Sequence, residues 1–196
     1  FVAAVDCTGH GIPGAFMSML GYSLLNEIVN EQQAPQPGEI LDQLHQQIRK
    51  VLRQDQTRNK DGMDICLCSI RKTQHAITLK FAGANRSLYY VAKHQLQEGK
   101  GDRQNIGGIE GLNYTNFNTE EAQISPGTML YLSTDGYSDT SNVKRKSFGR
   151  KRFKQLLQEI ATESIQHQKQ SLEKTLRDFK QEVQQRDDIL VIGVKI

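Results

Sequence analysis

The chain has 196 residues and a mass of 22.2 kDa, enough for one domain with a buried core. Its 25 basic and 22 acidic residues leave a net charge of +3, too mild a bias to imply nucleic acid, and with no Trp a stacking surface for single strands is also unsupported. No apolar run approaches the ~20 residues of a membrane span and no secretory leader is visible; the three cysteines, Cys7, Cys66 and Cys68, form no disulfide framework or zinc-knuckle spacing and point to free thiols in the reducing cytosol.

Residues 1–5 are an apolar run with no polar lead-in and read as a buried strand. A chain that opens this way, without Met, is expected to be the C-terminal part of a larger protein. Asp6-Cys7-Thr8-Gly9-His10-Gly11-Ile12-Pro13-Gly14 is a polar, Gly-rich turn. From Pro13 to about Val29, Phe16 or Met17, Leu20, Leu24 and Ile28 recur at helical spacing, and Pro13 suits a first turn, where its missing N–H costs nothing. Residues 32–38, with Pro35 and Pro37, break the chain. A second helix follows, with Ile40/Leu41, Leu44, Ile48 and Val51/Leu52 on one face.

Asn59-Lys60-Asp61-Gly62 is a turn, and beyond it the period becomes two. Residues 64–71, 76–82 and 87–92 read as three strands with short connections, hence successive antiparallel hairpins. Residues 94–111 are polar and Gly-rich, a long loop or a weak hairpin. Strands over 122–124 and 128–133 flank the turn Ser125-Pro126-Gly127, and the polar run from Thr134 through Asp135 to Asp139 follows at a strand end. Helices are predicted over 149–161, with Phe153, Leu156/Leu157 and Ile160 inward, and over 168–184, with Leu172, Leu176, Phe179 and Val183 inward and a Gln-rich solvated face. Residues 188–196, nearly all β-branched or apolar after Asp188, read as a central buried strand. Helices come in pairs and strands in runs, which points to an α+β fold of antiparallel sheets covered by paired helices.

Three Asp-containing turns abut these strands, at Asp6, Asp135 and Asp187/Asp188. Strand ends are held in fixed geometry, so carboxylates far apart in sequence can meet at one sheet edge, where a cation must neutralise them. Hard divalent ions such as Mg²⁺ or Mn²⁺ prefer such all-oxygen sites. Singly, each Asp also reads as an ordinary turn former. Other uses of the Gly-rich turn fail. The GxGxxG spacing of residues 9–14 lacks a second strand ending in an acid ~20 residues on. A Cys7 nucleophile would need Arg six positions on, where Pro13 stands. A P-loop would need Gly-Lys-Ser/Thr at the helix start. His10 reads as a hydrogen-bonding turn residue ahead of a proton-transfer role.

Residues 5–14 resemble the DxSGHGxPA signature of the SpoIIE-like branch of the metal-dependent protein phosphatases, the PPM family. Asp61-Gly62-Met63-Asp64, Phe81-Ala82-Gly83-Ala84-Asn85, Ser133-Thr134-Asp135-Gly136, Phe148-Gly149 and Arg186-Asp187-Asp188-Ile189 resemble further family motifs, in family order over almost the whole chain. The resemblance implies a four-layer αββα sandwich of antiparallel sheets flanked by paired helices, with two Mn²⁺ or Mg²⁺ ions at one edge. By motif position Asp6 would bridge both metals, the main-chain carbonyl of Cys7 would ligate one, and Asp135 and Asp187 would complete one metal's shell, with Asp188 beside Asp187 as a further candidate. A water activated by the metals would attack phosphorus in line, with no covalent enzyme intermediate.

Two departures stand out. The family's upstream acidic element, resembling GDxYD, would belong ~20 residues before Asp6 in the family pattern, and is expected to lie upstream of this chain together with strands of the first sheet. Ala84 replaces the His of an AGHN-type element, while Asn85 is retained as a candidate substrate contact. The expected activity is a phosphoserine/phosphothreonine protein phosphatase of the cytosol. Its expected substrate is a phosphorylated regulatory protein such as an anti-sigma-factor antagonist, and an upstream sensor domain in the same chain would act through the helix that begins at Pro13. Homodimerisation fits a sensor-linked phosphatase. The alternative is a non-catalytic relative serving as a protein-binding or sensor-output module.

Overall fold

The computed structural model describes residues 1–31, 35–108 and 114–196; the start of the predicted break (32–34) and the end of the predicted loop (109–111) lie outside them. Among the described residues the fold is mixed α+β with two antiparallel sheets and five helices. Two units form, residues 1–87 with 99–123, and residues 88–98 with 124–196.

In the first unit β1 (Val2–Cys7), β2 (Gly62–Lys72), β3 (Ile77–Ala84) and β7 (Glu120–Ile124) lie in the order β1-β2-β3-β7, and the two-residue β6 (Ile106–Gly107) also pairs with β2. β1 extends past the predicted apolar run to include Asp6 and Cys7, and of its residues only Ala4 is fully buried. Its described pairing is with β2 alone, so it is half-covered and not the buried strand its composition suggests.

Helices α1 (Gly11–Glu31) and α2 (Pro37–Val51) supply the core of this unit. Met17, at 4% exposure, faces inward, whereas Phe16 is 69% exposed. Leu24 and Ile28 continue the buried stripe. Phe16 shares its exposed status with Ile12, Met19 and Tyr22. α2 opens with Pro37 in its first turn, while Glu39 Oε2 accepts from the Gln36 N–H at 3.0 Å. Ile40, Leu41, Leu44 and Ile48 are buried as the period requires, against Met63, Ile65, Leu67 and Ala82 of the sheet; Val51 is exposed.

The three strands predicted as successive hairpins divide between the sheets. β2 and β3 do form an antiparallel hairpin, in register from Cys66↔Gly83 to Lys72↔Ile77. β4 (Leu88–Ala92) instead belongs to a second sheet, of order β5-β4-β8-β9. The chain changes sheet at Asn85, whose φ of 56 is left-handed and ends β3 abruptly. β5 (Gln95–Gly99) lies within the predicted long loop, joined to β4 through Lys93 (φ 50) and His94 (φ 63). Two consecutive residues at positive φ make a tight hairpin turn whose usual Asn-Gly marker is missing here. The turn Ser125-Pro126-Gly127 forms as read, with Thr128 N–H donating to Ser125 O at 3.2 Å, but the strands it separates, β7 and β8 (Met129–Ser133), are in different sheets.

β9 (Val191–Lys195) pairs antiparallel with β8, Ser133 opposite Val191. It ends the strand order and is half-exposed, so the central buried strand expected over 188–196 is an edge strand and shorter. α4 (Arg150–Ile160) buries Phe153, Leu157 and Ile160 as predicted. α5 (Ile165–Lys180) starts three residues early because Ser164 caps it, accepting from the His167 N–H. It ends at Gln181, in left-handed conformation with φ 54, which leaves Val183 beyond the helix. Most of α5's glutamines are solvated, but Gln168 is 3% exposed and bonds the Tyr131 hydroxyl at 2.8 Å.

Candidate metal centre

One group of candidate residues is built on β1 and β2. The ladder register sets Asp6 directly opposite Asp64, and like charges in that position repel. Arg86 offsets the repulsion. Its Nη2 donates to Asp64 Oδ2 at 2.8 Å and to Asp6 Oδ2 at 3.1 Å, and the residue is only 8% exposed. Asn85 holds the other side of Asp64, donating from Nδ2 to Asp64 Oδ1 at 2.8 Å and to Asn105 Oδ1 at 2.7 Å. Its candidate role as a substrate contact therefore competes with a structural one.

The Gly-rich turn after Asp6 is tied to the Asp61-Gly62 turn. Thr8 N–H donates to Gly62 O, and Thr8 Oγ1 accepts from the Gly62 N–H, both at 2.9 Å. Asn59 Nδ2 donates to Asp61 Oδ2 at 2.9 Å. Within the turn Gly9 has φ +88, and a Cβ on Gly14 would stand 2.7 Å from Gly9 O, so the entry into α1 needs glycine at both places. His10 is exposed. The Cys7 thiol is half-buried, and burial pushes its pKa up; a hydrogen bond with Ser18 pulls it down and the Asp6 charge pushes it up further. A thiol held protonated is a poor nucleophile, in keeping with the failed Cys-phosphatase spacing.

A second group of candidate residues lies at the paired ends of β8 and β9. Thr134 N–H donates to Leu190 O at 3.1 Å, Thr134 Oγ1 donates to Asp188 O at 3.2 Å, and the same oxygen accepts from Leu190 N–H at 3.1 Å. These bonds clamp the Thr134-Asp135-Gly136 turn against the Asp187-Asp188 segment. Gly136 packs so closely that a Cβ there would sit 2.2 Å from Asp188 O. Asp135 is half-buried and precedes the four-residue α3 (Gly136–Asp139). Asp187 and Asp188 are exposed, and Asp187 Oδ1 accepts from the Asp188 N–H at 2.9 Å.

Thus Asp6 and Asn85 stand in the first unit, and Asp135, Asp187 and Asp188 in the second. Among the described residues no group of three or more His, Cys, Asp or Glu side chains is assembled that could hold a metal ion. The chemistry of the donors nevertheless fits a hard divalent ion. They are carboxylate and carbonyl oxygens, and in the first unit a cationic group, the Arg86 guanidinium, already binds the Asp6–Asp64 pair.

Asp64 and Arg86 were missed as site residues. Asp64 is visible as the second acid of the Asp61-Gly62-Met63-Asp64 motif. Arg86 is visible as a cation between the apolar strands at 77–84 and 88–92. A charge at such a place needs a partner, and the partner's identity is a tertiary fact.

The sequence profile of the family described as Stage II sporulation protein E (SpoIIE) matches residues 1–196. The chain belongs to the SpoIIE family. Its structure is similar to that of the SiaA-PP2C domain of Pseudomonas aeruginosa, with 30% identity, a TM-score of 0.84, and coverage of 99% of this chain and 74% of that one. It also resembles the PP2C phosphatase domain with a fragment of the regulatory domain of SpoIIE from Bacillus subtilis, at 15% identity and a TM-score of 0.72, covering 99% of this chain and 53% of that one. RsbX in complex with magnesium matches at 14% identity and a TM-score of 0.59, over 97% of this chain and 78% of the other. No curated protein sequence matches. This SpoIIE-family chain therefore has the fold of the PP2C-type serine/threonine phosphatases, and no helix among its described residues is long and apolar enough to cross a membrane.

Proposed function

We propose that residues 1–196 act as one metal-dependent protein serine/threonine phosphatase domain that hydrolyses a phosphoserine or phosphothreonine of a regulatory protein, such as an anti-sigma-factor antagonist, in the cytosol. The observation that carries this reading is the clamp between the Thr134 turn and the Asp188 segment, which fixes two of the family's acidic motifs side by side at one sheet end. Asp6, the Cys7 carbonyl, Asp135 and Asp187 would hold two Mg²⁺ or Mn²⁺ ions, with Asp188 as a further candidate. RsbX, a structural neighbour, is in complex with magnesium. Bound there, such ions supply Lewis-acid charge for the phosphoryl oxygens and acidify water.

The chain's own residues contribute positioning. Thr8 and Asp61 hold the turn that carries the Cys7 carbonyl. Thr134 holds Asp135 to the Asp188 backbone. Asn85 and Arg86 fix Asp64 beside Asp6, where Asn85 would also be near enough in sequence and fold to meet a substrate. SpoIIE from Bacillus subtilis, a structural neighbour, is a cell fate determinant with a regulatory domain, which supports a signalling role and a sensor domain elsewhere in the same protein, with a homodimer as its working form.

A second reading, a phosphatase-like module without catalysis, is favoured by one observation: the Asp6 carboxylate is already bonded to Arg86. Turnover of an aryl phosphate with Mn²⁺, wild type beside Asp135→Asn, separates the two. Hydrolysis that needs the metal and falls at least ~100-fold in Asp135→Asn supports catalysis, given what a single electrostatic group supplies in an active site. No turnover by the full-length protein supports the binding module.

A further inference from the structure

We propose that Arg86 is a built-in counter-ion of the candidate metal centre: its guanidinium holds Asp6 when no metal is bound, and a divalent ion reaches Asp6 by driving it back onto Asp64, so that Arg86 sets the metal affinity. This rests on the reading of Asp6 as a metal ligand.

The placement is a product of the fold. Arg86 follows Asn85, whose left-handed backbone (φ 56) turns the chain, and Asn85 N–H donates to Asp102 O at 2.8 Å while Asp102 N–H donates to Gly83 O at 2.8 Å. The Arg86 carbonyl lies so close to two glycines that a Cβ would stand 2.1 Å from it at Gly83 and 2.2 Å from it at Gly101. A backbone clamped on both sides directs the side chain back over β1 and β2. At 8% exposure the guanidinium has little water to turn to, so its positive charge stays with the carboxylates.

The charges decide the sign of the effect. Arg86, Asp6 and Asp64 together carry −1, which still attracts a dication. A dication on Asp6, however, shares its ligand with a guanidinium now 3.1 Å from Oδ2, and like charges a few ångströms apart in a half-buried site repel strongly. Asp64 is the nearer partner, at 2.8 Å, and Asn85 fixes its other oxygen. The guanidinium therefore has a seat to keep when Asp6 is taken. If Asp64 loses its charge, Arg86 falls wholly to Asp6 and competes harder.

Mn²⁺ binding to the full chain, followed by the loss of the free-ion electron paramagnetic resonance signal, tests this. Arg86→Gln is expected to tighten binding about tenfold, the size of a single charge repulsion worth 1.4 kcal/mol. Arg86→Lys keeps the charge and is expected to stay within about threefold of wild type, less than the tenfold that follows from losing it. Asp64→Asn is expected to weaken binding about tenfold by the same arithmetic, and to weaken it clearly less once Arg86→Gln is present, when only the direct attraction of one carboxylate is lost. A merely structural Arg86 would weaken binding when replaced, the opposite sign. The proposal is overturned if Arg86→Gln binds no tighter than wild type, or if Asp64→Asn costs the same with and without Arg86. Circular dichroism of each variant confirms folding, and were Arg86→Gln unfolded, Asp64→Asn beside Arg86→Lys still gives the decision: an unweakened Asp64→Asn sinks the idea. An Asp6→Asn control that binds Mn²⁺ as wild type does, or a wild type that binds none, overturns instead the assignment of Asp6 as ligand.

Discussion

Gly136 shows how one missing side chain can hold a site together. It follows Asp135 in sequence and lies against the carbonyl of Asp188, 2.2 Å from where a Cβ would be. Gly136→Ala must push the Asp135 turn away from the Asp187-Asp188 segment. It is expected to cost about 1–3 kcal/mol, as overpacking generally does, and to abolish metal-dependent turnover; urea unfolding and the aryl phosphate assay check the two effects. The acids themselves were legible because an Asp abutting an apolar, strand-like run is a local pattern. Arg86 was not, since its partners Asp6 and Asp64 stand 80 and 22 residues away. Asn85 lies between these cases: its presence in the motif is readable, while its bonds to Asp64 and Asn105 belong to the folded chain.

Helices and strands differ in how much of them the chain discloses locally. The inward stripes of α2 and α4 follow the 3.6-residue period, because burial of one face is what makes such helices stable. In α1 the period left Phe16 and Met17 as alternatives, and the close approach of the helix to the sheet settled on Met17. The β4–β5 hairpin went unread because its turn residues, Lys93 and His94, carry none of the usual chemistry while both adopting positive φ. Replacing them by Asn and Gly should therefore raise stability, by about 1 kcal/mol given the strain of side chains in left-handed backbone. A melting temperature higher than wild type by a few degrees is the expected result, about what that free energy yields in a chain of this size. An unchanged or lower value would mean that the hairpin does not limit stability.

At the scale of the molecule, buried thiols and phenols tie stability to pH. Burial raises the Cys68 pKa from 9.0 to about 11, with a backbone hydrogen bond from Val2 pulling the other way. Cys66 is raised well above 9.0 by burial and then by Cys68, and burial raises Tyr131 and Tyr137 too. Each group keeps its proton longer folded than unfolded. Between pH 9 and 11 the unfolded chain binds fewer protons than the folded one, so the folded state's stability advantage shrinks as pH rises. The contribution of Cys68 is complete below pH 9.0 and gone above about 11, a loss of about 2–3 kcal/mol. Urea unfolding from pH 7 to 11 should show a plateau and then a fall above pH 9, and Cys68→Ser should flatten part of that fall; a curve flat to pH 11 would contradict the burial argument.

By itself the sequence determined the helices with their inward faces, the turns, the free thiols, the family and the positions of its acidic motifs, because each of these is written in neighbouring residues or in a short period. Only the tertiary structure decided that β3 and β4 part company at Asn85, that β1 and β9 are half-covered, and that Asp6 faces Asp64 across a ladder under the guanidinium of Arg86. A hydrophobic period records that a face is covered but not by which strand, and a charge records that it needs a partner but not where in the chain that partner lies.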